Sequence, residues 1–227
     1  MKITMTPRNL KALRAVALAA SPDDSRPVTR TVAIMPTPSW AKTSAKAIAV
    51  ATDSYRVAWM DLALVNDDAA PENTVLLRSD QLTAAAVIAN RFCPRVRPGR
   101  RVPTPQEYPV LDTIRNGGNW RLKWGDGGLS FKFVAGTYPS LESIFTGVNV
   151  PVKVTNGVTL NPAFLSTLET ARKILTSGPL PVTIATQEDT HIKPVVFEMG
   201  NEKTGIYRYM LMPIRPTMSS FWWMEKK

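Results

Sequence analysis

The sequence predicts an α+β fold in which helices cover one face of antiparallel sheets. Three helical patterns recur along the chain, and each opens with a residue that can cap a helix, namely Thr6, Ser79 and Asn161. A short strand pattern precedes each cap, and further strand patterns follow each helix. Because strands and helices repeat in this order, the units are expected to share sheets that carry the helices on one side.

The first unit shows the repeat most plainly. Thr6 can cap a helix whose first position is Pro7, because a proline needs no N–H partner there. Within that helix Leu10, Leu13 and Ala17 fall on one apolar stripe. Strands are predicted at residues 3–5, 29–35, 47–51 and 55–64.

The second unit repeats the order but shows one strand fewer than the first. Strand 74–77 leads to the cap Ser79 and to a helix over residues 80–92, whose inward residues are Leu82, Ala85, Ala86 and Ala89. Apolar and polar residues alternate on both sides of a glycine-rich turn, which predicts a hairpin over residues 120–133. Residues 94–109 hold four arginines and five prolines, so they are predicted to be an irregular insertion.

The third unit again begins with a strand, at residues 157–160, followed by the cap Asn161 and a helix that starts at Pro162. Its later strands are predicted at residues 182–186, 192–198 and 207–212. The chain therefore divides into a domain of two units over residues 1–146, a third unit over residues 147–216, and an aromatic and basic tail over residues 217–227.

The composition excludes several classes of protein. The chain has 227 residues, 44% of them hydrophobic, which is enough to bury a core. It has no apolar run of the roughly 18 residues that a membrane span needs, and its first residues lack the apolar centre of a signal peptide. One cysteine, Cys93, excludes an intrachain disulfide. We therefore expect a soluble, cytoplasmic protein without membrane contact.

The charge is the first indication of a partner. The formal net charge is +10 at pH 7, and a basic surface gains affinity for a polyanion by releasing its counterions. If the three helices share one face, they would present a positive surface to the phosphates of DNA. The candidate DNA-binding residues are Arg8, Lys11, Arg14, Arg91, Arg172 and Lys173.

Three short motifs point to a family. Residues 51–58 read Ala-Thr-Asp-Ser-Tyr-Arg-Val-Ala, residues 136–144 read Gly-Thr-Tyr-Pro-Ser-Leu-Glu-Ser-Ile, and residues 209–215 read Tyr-Met-Leu-Met-Pro-Ile-Arg. In this order they resemble the Ala-Thr-Asp-Gly-His-Arg-Leu-Ala turn, the Gly-x-Phe-Pro-x-Tyr segment and the terminal Val-Met-Pro-Met-Arg of bacterial DNA polymerase III beta sliding clamps. The resemblance spans roughly residues 1–216 and is to a shortened, phage-type member of that family.

The resemblance implies a clamp with no catalytic residue and no cofactor. Such a clamp encircles double-stranded DNA as a ring of subunits with its helices facing the hole. It tethers DNA polymerase, and in the same way a clamp loader, by holding a short apolar peptide in a pocket. Carried over by position, the pocket residues are Thr52, Ser54, Tyr55, Arg56, Val57, Pro139, Ser143, Ile144, Met210, Met212, Pro213, Ile214 and Arg215.

The chain departs from the family in three places. Ser54 and Tyr55 stand where the family has Gly-His, so the pocket and its peptide are expected to differ in shape. The family has three domains of two units each, whereas this chain has three units. A ring with the family's number of units would therefore need about four chains. Finally, Phe221, Trp222 and Trp223 lie beyond the family's usual end, where they could pack on the protein's own surface or occupy the pocket.

Two other functions fit part of the sequence. A basic DNA-binding or regulatory module need not form a ring. An enzyme could use His191, the only histidine, together with Glu188 or Asp189. Because metal sites use several ligands and a hydrolytic triad needs a nucleophile, His191 is expected to lie in a surface turn, and no metal site is predicted.

Overall fold

The computed structural model describes residues 2–65, 68–95, 101, 103–113, 119–131, 134–145, 160–185, 194–201 and 204–212. The strands are β1 (Lys2–Thr4), β2 (Thr31–Pro36), β3 (Ala47–Thr52), β4 (Arg56–Leu62), β5 (Val75–Arg78), β6 (Val110–Thr113), β7 (Trp120–Trp124), β8 (Gly127–Phe131), β9 (Val182–Ala185), β10 (Val195–Asn201) and β11 (Gly205–Leu211). The α-helices are α1 (Pro7–Ala17), α2 (Ser79–Arg91), α3 (Glu142–Phe145) and α4 (Pro162–Leu175), and single 3-10 turns occur at Ser39–Ala41 and Pro105–Glu107. His191, the tail and residues 157–159 of the predicted strand lie outside the described residues.

The strands form two antiparallel sheets, which confirms the predicted α+β class. The larger sheet has seven strands in the order β5-β2-β3-β4-β11-β10-β9, and the smaller has four in the order β1-β6-β7-β8. Unit 1 is β1, α1 and β2 to β4; unit 2 is β5, α2 and β6 to β8; unit 3 contains α4 and β9 to β11. Among the described helices, none is long and apolar enough to cross a membrane.

Units 1 and 2 exchange their first strands. β1 of unit 1 pairs with β6 of unit 2, and β5 of unit 2 pairs with β2 of unit 1. Ile3 lies opposite Leu111, and Val75 lies opposite Ile34. Ile3 and Val75 are each three residues before the N-cap of the helix that follows them. The two units are therefore joined by a reciprocal exchange of strands.

Unit 3 joins this domain through its last strand. β11 pairs with β4 over five residues, so that Tyr209 lies opposite Ala58 and Leu211 lies opposite Arg56. The seven-stranded sheet is therefore continuous from unit 1 into unit 3. On the helical side, α1 packs between α2 and α4.

Each face of the large sheet is buried by a different layer. Along β3, Ala47, Ala49 and Ala51 face a core that contains α1, α2 and α4, whereas Ile48 and Val50 face a second core on the opposite side. The small alanines let the helices approach the sheet closely. The chain around α3 covers the second face, where the Phe145 ring stacks on Trp40 with 4.3 Å between ring centroids.

The sequence predicts the N-cap residue of the helix correctly in two units and wrongly in one. The Thr6 side chain accepts a hydrogen bond from the Asn9 N–H at 3.2 Å, and Asn161 accepts one from the Ala163 N–H at 3.0 Å. The prediction that Ser79 caps α2 is wrong, because the helix already includes Ser79 and its N-cap is Arg78. The prediction of a missing strand in unit 2 is also wrong, because β6 supplies it.

Candidate functional site

The turn between β3 and β4 is held by its own side chains. The Asp53 carboxylate accepts hydrogen bonds from the N–H groups of Tyr55 and Arg56, both at 3.0 Å. The Thr52 hydroxyl donates to the Arg56 carbonyl at 2.8 Å and accepts from the Ser54 N–H at 3.2 Å. These bonds satisfy the backbone of a tight turn that has to expose Tyr55, whose side chain is 60% exposed.

Ser54 adopts a left-handed backbone conformation in this turn, with a φ of 80°. Residues with a side chain rarely take that conformation, and glycine takes it without steric cost. Ser54 therefore holds a backbone conformation that the glycine of the resembling motif would take at lower cost.

Arg56 connects the turn to unit 3. Its Nε donates to Asp53 at 2.8 Å and its Nη1 donates to the Thr167 hydroxyl of α4 at 2.8 Å. The guanidinium also lies over the Phe164 ring, 4.9 Å from the ring centroid. The Arg56 and Asp53 side chains are only 14% and 10% exposed, so their charges interact with little screening by water. Arg56 thus fixes α4 against the end of β4.

Tyr209 supports the same contact from β11. Its ring is fully buried, and its hydroxyl donates to the Phe164 carbonyl at 3.0 Å. Burial raises the pKa of Tyr209, although the hydrogen bond from Arg56 opposes this. The phenol therefore keeps its proton at neutral pH and remains a donor to α4.

A cavity of about 220 Å³ opens beside this turn. It lies where the end of β3, the start of β4, the end of β11 and the chain that leads into α3 come together. Nine of the thirteen predicted pocket residues line it: Thr52, Ser54, Tyr55, Arg56, Val57, Pro139, Ile144, Met210 and Met212. The Ser143 side chain and the residues Pro213, Ile214 and Arg215 lie outside the described residues.

The cavity also contains two residues that the motif comparison missed, Ser140 and Leu141. Leu141 is 4% exposed and belongs to the second core. Both residues lie inside the segment 136–144, which resembles a family motif, so that motif is the sequence signal for them. The comparison does not predict them, because it assigns to the pocket only the positions that match the family's pocket residues.

The cavity has an apolar floor and an accessible mouth. Val57, Leu141 and Met210 are at most 5% exposed, whereas Tyr55 and Met212 at the rim are 60% and 40% exposed. The Met212 N–H donates to the Tyr55 carbonyl at 3.0 Å, which holds the two rim residues together. An apolar floor with few polar groups is suited to a short apolar anchor.

Some of the cations predicted to bind DNA already pair with groups of the protein. Arg172 donates to both carboxylate oxygens of Glu169, at 2.7 and 2.9 Å, and Lys173 lies 3.5 Å from the same carboxylate. The hydrogen bond from Arg172 lowers the pKa of Glu169 to about 2, so this carboxylate is charged at neutral pH. Lys11 Nζ donates to the Leu175 carbonyl at 3.2 Å.

The other three cations differ in exposure. Arg91 is exposed at the end of α2, whereas Arg8 and Arg14 are half-buried. The Nε atoms of Arg8 and Arg14 are buried, and no hydrogen-bond partner for them occurs in the described part of the chain. The six residues all lie on the three long helices, which pack side by side.

The chemistry of the described residues offers little to the rival enzyme hypothesis. No group of three metal-ligating side chains occurs within them. Burial raises the pKa of Cys93 to about 11, so its thiol is protonated and a poor nucleophile at neutral pH. His191, on which that hypothesis depended, lies outside the described residues.

The contact between Arg56 and Thr167 yields a prediction about stability. Arg56→Met should lower the free energy of unfolding by about 2–4 kcal/mol, because it leaves Asp53 buried without its cation. Thr167→Val should cost about 1–2 kcal/mol. Both changes break the same hydrogen bond. The double variant should therefore lose less free energy of unfolding than the sum of the two single losses, by at least about 0.5 kcal/mol. Urea unfolding measures all three variants, and strictly additive losses would show that the bond is not stabilising.

Sequence comparison alone finds no relative. No protein-family model matches the chain, and no curated protein matches its sequence.

Solved structures share the architecture. The DNA polymerase III beta subunit of Thermotoga maritima gives a TM-score of 0.61 at 9% identity, over 95% of this chain and 65% of that chain. The beta subunit of Borrelia burgdorferi, in complex with a natural product, gives 0.60 at 11% identity, over 94% and 64%. The DnaN sliding clamp of Bartonella birtlesii, bound to griselimycin, gives 0.58 at 14% identity, over 95% and 66%.

The chain spans slightly less than two thirds of the length of these structures. At such low identity the likeness concerns the path of the backbone. The chain has the fold of the bacterial DNA polymerase III beta sliding clamps.

Proposed function

We propose that this protein is a DNA sliding clamp: a ring of several copies that encircles duplex DNA and tethers DNA polymerase or other partners. The observation that carries the proposal is the row of three helices, α2, α1 and α4, on one face of the sheets. The six candidate cations lie on these three helices, in a chain whose formal net charge is +10. Such a surface suits contact with phosphates that ignores base sequence, as sliding requires.

The number of repeat units supports a ring of about four chains. Each chain contributes three units, whereas the family it resembles has six units in each of two subunits, so the same total of twelve units needs four chains. With half of the units of a family subunit, a single chain is expected not to surround DNA by itself. Closure therefore has to come from contacts between copies, as in other cyclic assemblies.

The cavity beside the β3–β4 turn is the proposed docking site for partners. Its apolar floor would take one or two apolar side chains of a short peptide, and the rim residues Tyr55 and Met212 would close over them. This role involves no chemical step and no cofactor. DNA polymerase and a clamp loader, carrying different copies of such a peptide, would compete for the site.

Charge reversal on the helices should weaken DNA retention. Arg91→Glu combined with Lys173→Glu alters two exposed cations, and each lost phosphate contact weakens binding most at low salt. We expect at least a tenfold loss of affinity for nicked circular plasmid at about 50 mM salt.

A matched control uses Lys2→Glu with Lys46→Glu, which changes the charge equally at exposed positions outside the helices. This variant should retain most of the affinity. Wild-type protein should also stay on circular DNA and leave linearised DNA, because a ring slips from free ends. Equal retention on both forms would favour a basic binding module that does not encircle DNA.

The cavity should select apolar peptides, which Met212→Lys tests. An apolar anchor that binds in the cavity would remove water from the charged lysine at the rim, which costs free energy. The peptide that binds wild-type protein best, chosen from a random library of six-residue peptides, should therefore bind the variant at least about tenfold more weakly. Ile88→Lys on α2 is the control, because Ile88 is 38% exposed against 40% for Met212. Fluorescence polarisation measures both, and equal affinities for the two variants would place the peptide elsewhere.

A further inference from the structure

An exposed aromatic pair lies at the end of α2. The Phe92 ring stacks on the Trp124 ring of β7, with 5.7 Å between the ring centroids and 20° between the ring planes. Although Trp124 covers one face of its ring, Phe92 is still 55% exposed. The other face of the phenyl ring is therefore open to solvent. It presents an apolar surface that the described part of the chain does not cover.

The local structure fixes this pair in place. Phe92 is the C-cap residue of α2, since Pro94 prevents the helix from continuing, and its N–H still donates to the Ala89 carbonyl at 3.0 Å. Trp124 is partly buried against the main core. Gly127 lies opposite Trp124 in the hairpin, and a Cβ atom there would come within 2.8 Å of the indole Nε1. The glycine therefore leaves the space that the indole occupies.

Two cations stand next to the exposed ring in the sequence. Arg91 precedes Phe92 at the end of α2, and Arg95 follows it by three positions. Both arginines are exposed, and neither has a hydrogen bond or ion pair with another residue that the structure describes. Their charges are therefore available to a ligand.

The acidic residues closest in sequence do not cancel this charge. Glu107 is the closest to Arg95, and its carboxylate accepts hydrogen bonds from Arg101 and from the Thr104 N–H, both at 2.9 Å. Asp126 is exposed in the turn after Trp124 and opposes one of the two free cations. The surface around Phe92 therefore keeps a positive charge.

The aromatic pair and the peptide cavity lie at opposite ends of β4. The Cys93 Sγ donates to the Met5 carbonyl at 3.7 Å, so the end of α2 is beside the start of α1. In the first turn of α1, the Asn9 side chain donates to the Ala63 carbonyl at 2.8 Å. Ala63 follows the last residue of β4, whereas the cavity lies at its first residues. A strand of this length spans about 20 Å.

We propose that the Phe92 ring, together with Arg91 and Arg95, binds single-stranded DNA by stacking on an unpaired base. A base in a single strand offers its face to an aromatic ring, whereas a base inside a duplex is covered by its neighbours. The two guanidinium groups supply the attraction for phosphates. An apolar protein partner would account for the exposed ring and not for the two unpartnered cations. Because every base has a π-face, the contact tolerates any sequence.

This inference goes beyond the proposed function and does not depend on a ring. The proposed clamp holds duplex DNA against the row of long helices, and α2 is one member of that row. Arg91, one of the candidate DNA-binding cations, adjoins Phe92. A strand that separates from the duplex at this end of α2 would reach the aromatic pair. A partner peptide could occupy the cavity at the same time, since the cavity lies at the other end of β4.

Binding of a fluorescent oligothymidine of about twelve nucleotides tests the stacking. By fluorescence polarisation at about 50 mM salt, Phe92→Leu should bind at least about fivefold more weakly than wild-type protein, because it keeps an apolar side chain and loses the π-face. Phe92→Trp should bind at least as tightly as wild type. Ile88→Leu, an apolar change at a 38% exposed position one turn earlier on α2, is the matched control and should keep the wild-type affinity. Unchanged affinity of Phe92→Leu would overturn the proposal.

A blunt duplex of the same length separates base stacking from general attraction to phosphates. Phe92→Leu should bind this duplex as wild-type protein does, since paired bases offer no free face. Arg91→Ala with Arg95→Ala should weaken binding of both DNAs. For the single strand, this double variant should also reduce the slope of log affinity against log salt concentration by about 1.4. An equal loss by Phe92→Leu on single strand and duplex would show that the ring does not stack on a base.

Two measurements distinguish single-stranded DNA from other occupants. Native mass spectrometry should give the same assembly for Phe92→Leu and wild type, and a smaller assembly for the variant would instead assign the ring to a contact between copies. A peptide selected for the cavity should not displace the oligothymidine, and displacement would contradict the separate site. If Phe92→Leu loses the oligothymidine as expected but wild-type protein does not stay on circular plasmid, the single-strand site stands and the sliding-clamp proposal fails.

Discussion

In each repeat unit, the first strand after the helix has one edge with which no described strand of the same unit pairs. The rest of the structure depends on how that edge is covered. Buried backbone N–H and C=O groups need partners, so an open edge next to a core has to be covered. β5 covers β2, and β1 covers β6. The two units are thereby inseparable, and their helices α1 and α2 lie together over the shared core. In the third unit, β9 pairs with β10 on one side only within the described residues.

The cavity depends on a different junction, the pairing of β4 with β11. This pairing places the end of unit 3's last strand beside the turn of unit 1, where the Met212 N–H reaches the Tyr55 carbonyl. Arg56 then secures α4 through Thr167, and Tyr209 secures it through the Phe164 carbonyl. The floor is apolar because the same strands bury Val57 and Met210 in the second core. The proposed docking site is therefore a consequence of how unit 3 is attached.

The parts of this structure that the sequence could predict are those set by neighbouring residues. The caps Thr6 and Asn161 and the hairpin of β7 and β8 follow from local hydrogen bonds and from a turn in which Gly125 has a φ of 49°. The four-residue strand β6 was missed because its apolar pattern is interrupted by Asp112 and follows a proline-rich stretch. The exchange of β1 and β5 was not predictable, since the choice of partner strand is made far along the chain. Motif resemblance found most of the cavity, but the pairing of Glu169 with two proposed DNA-binding cations required the coordinates.

The central claim is that several copies of this three-unit chain form a ring around duplex DNA. Electron cryomicroscopy of the full-length protein bound to a short DNA duplex tests it most directly. The account predicts a closed ring of about four chains, with the three long helices of each chain facing the duplex. A single chain bound beside the duplex, or a ring whose helices face outward, would contradict it.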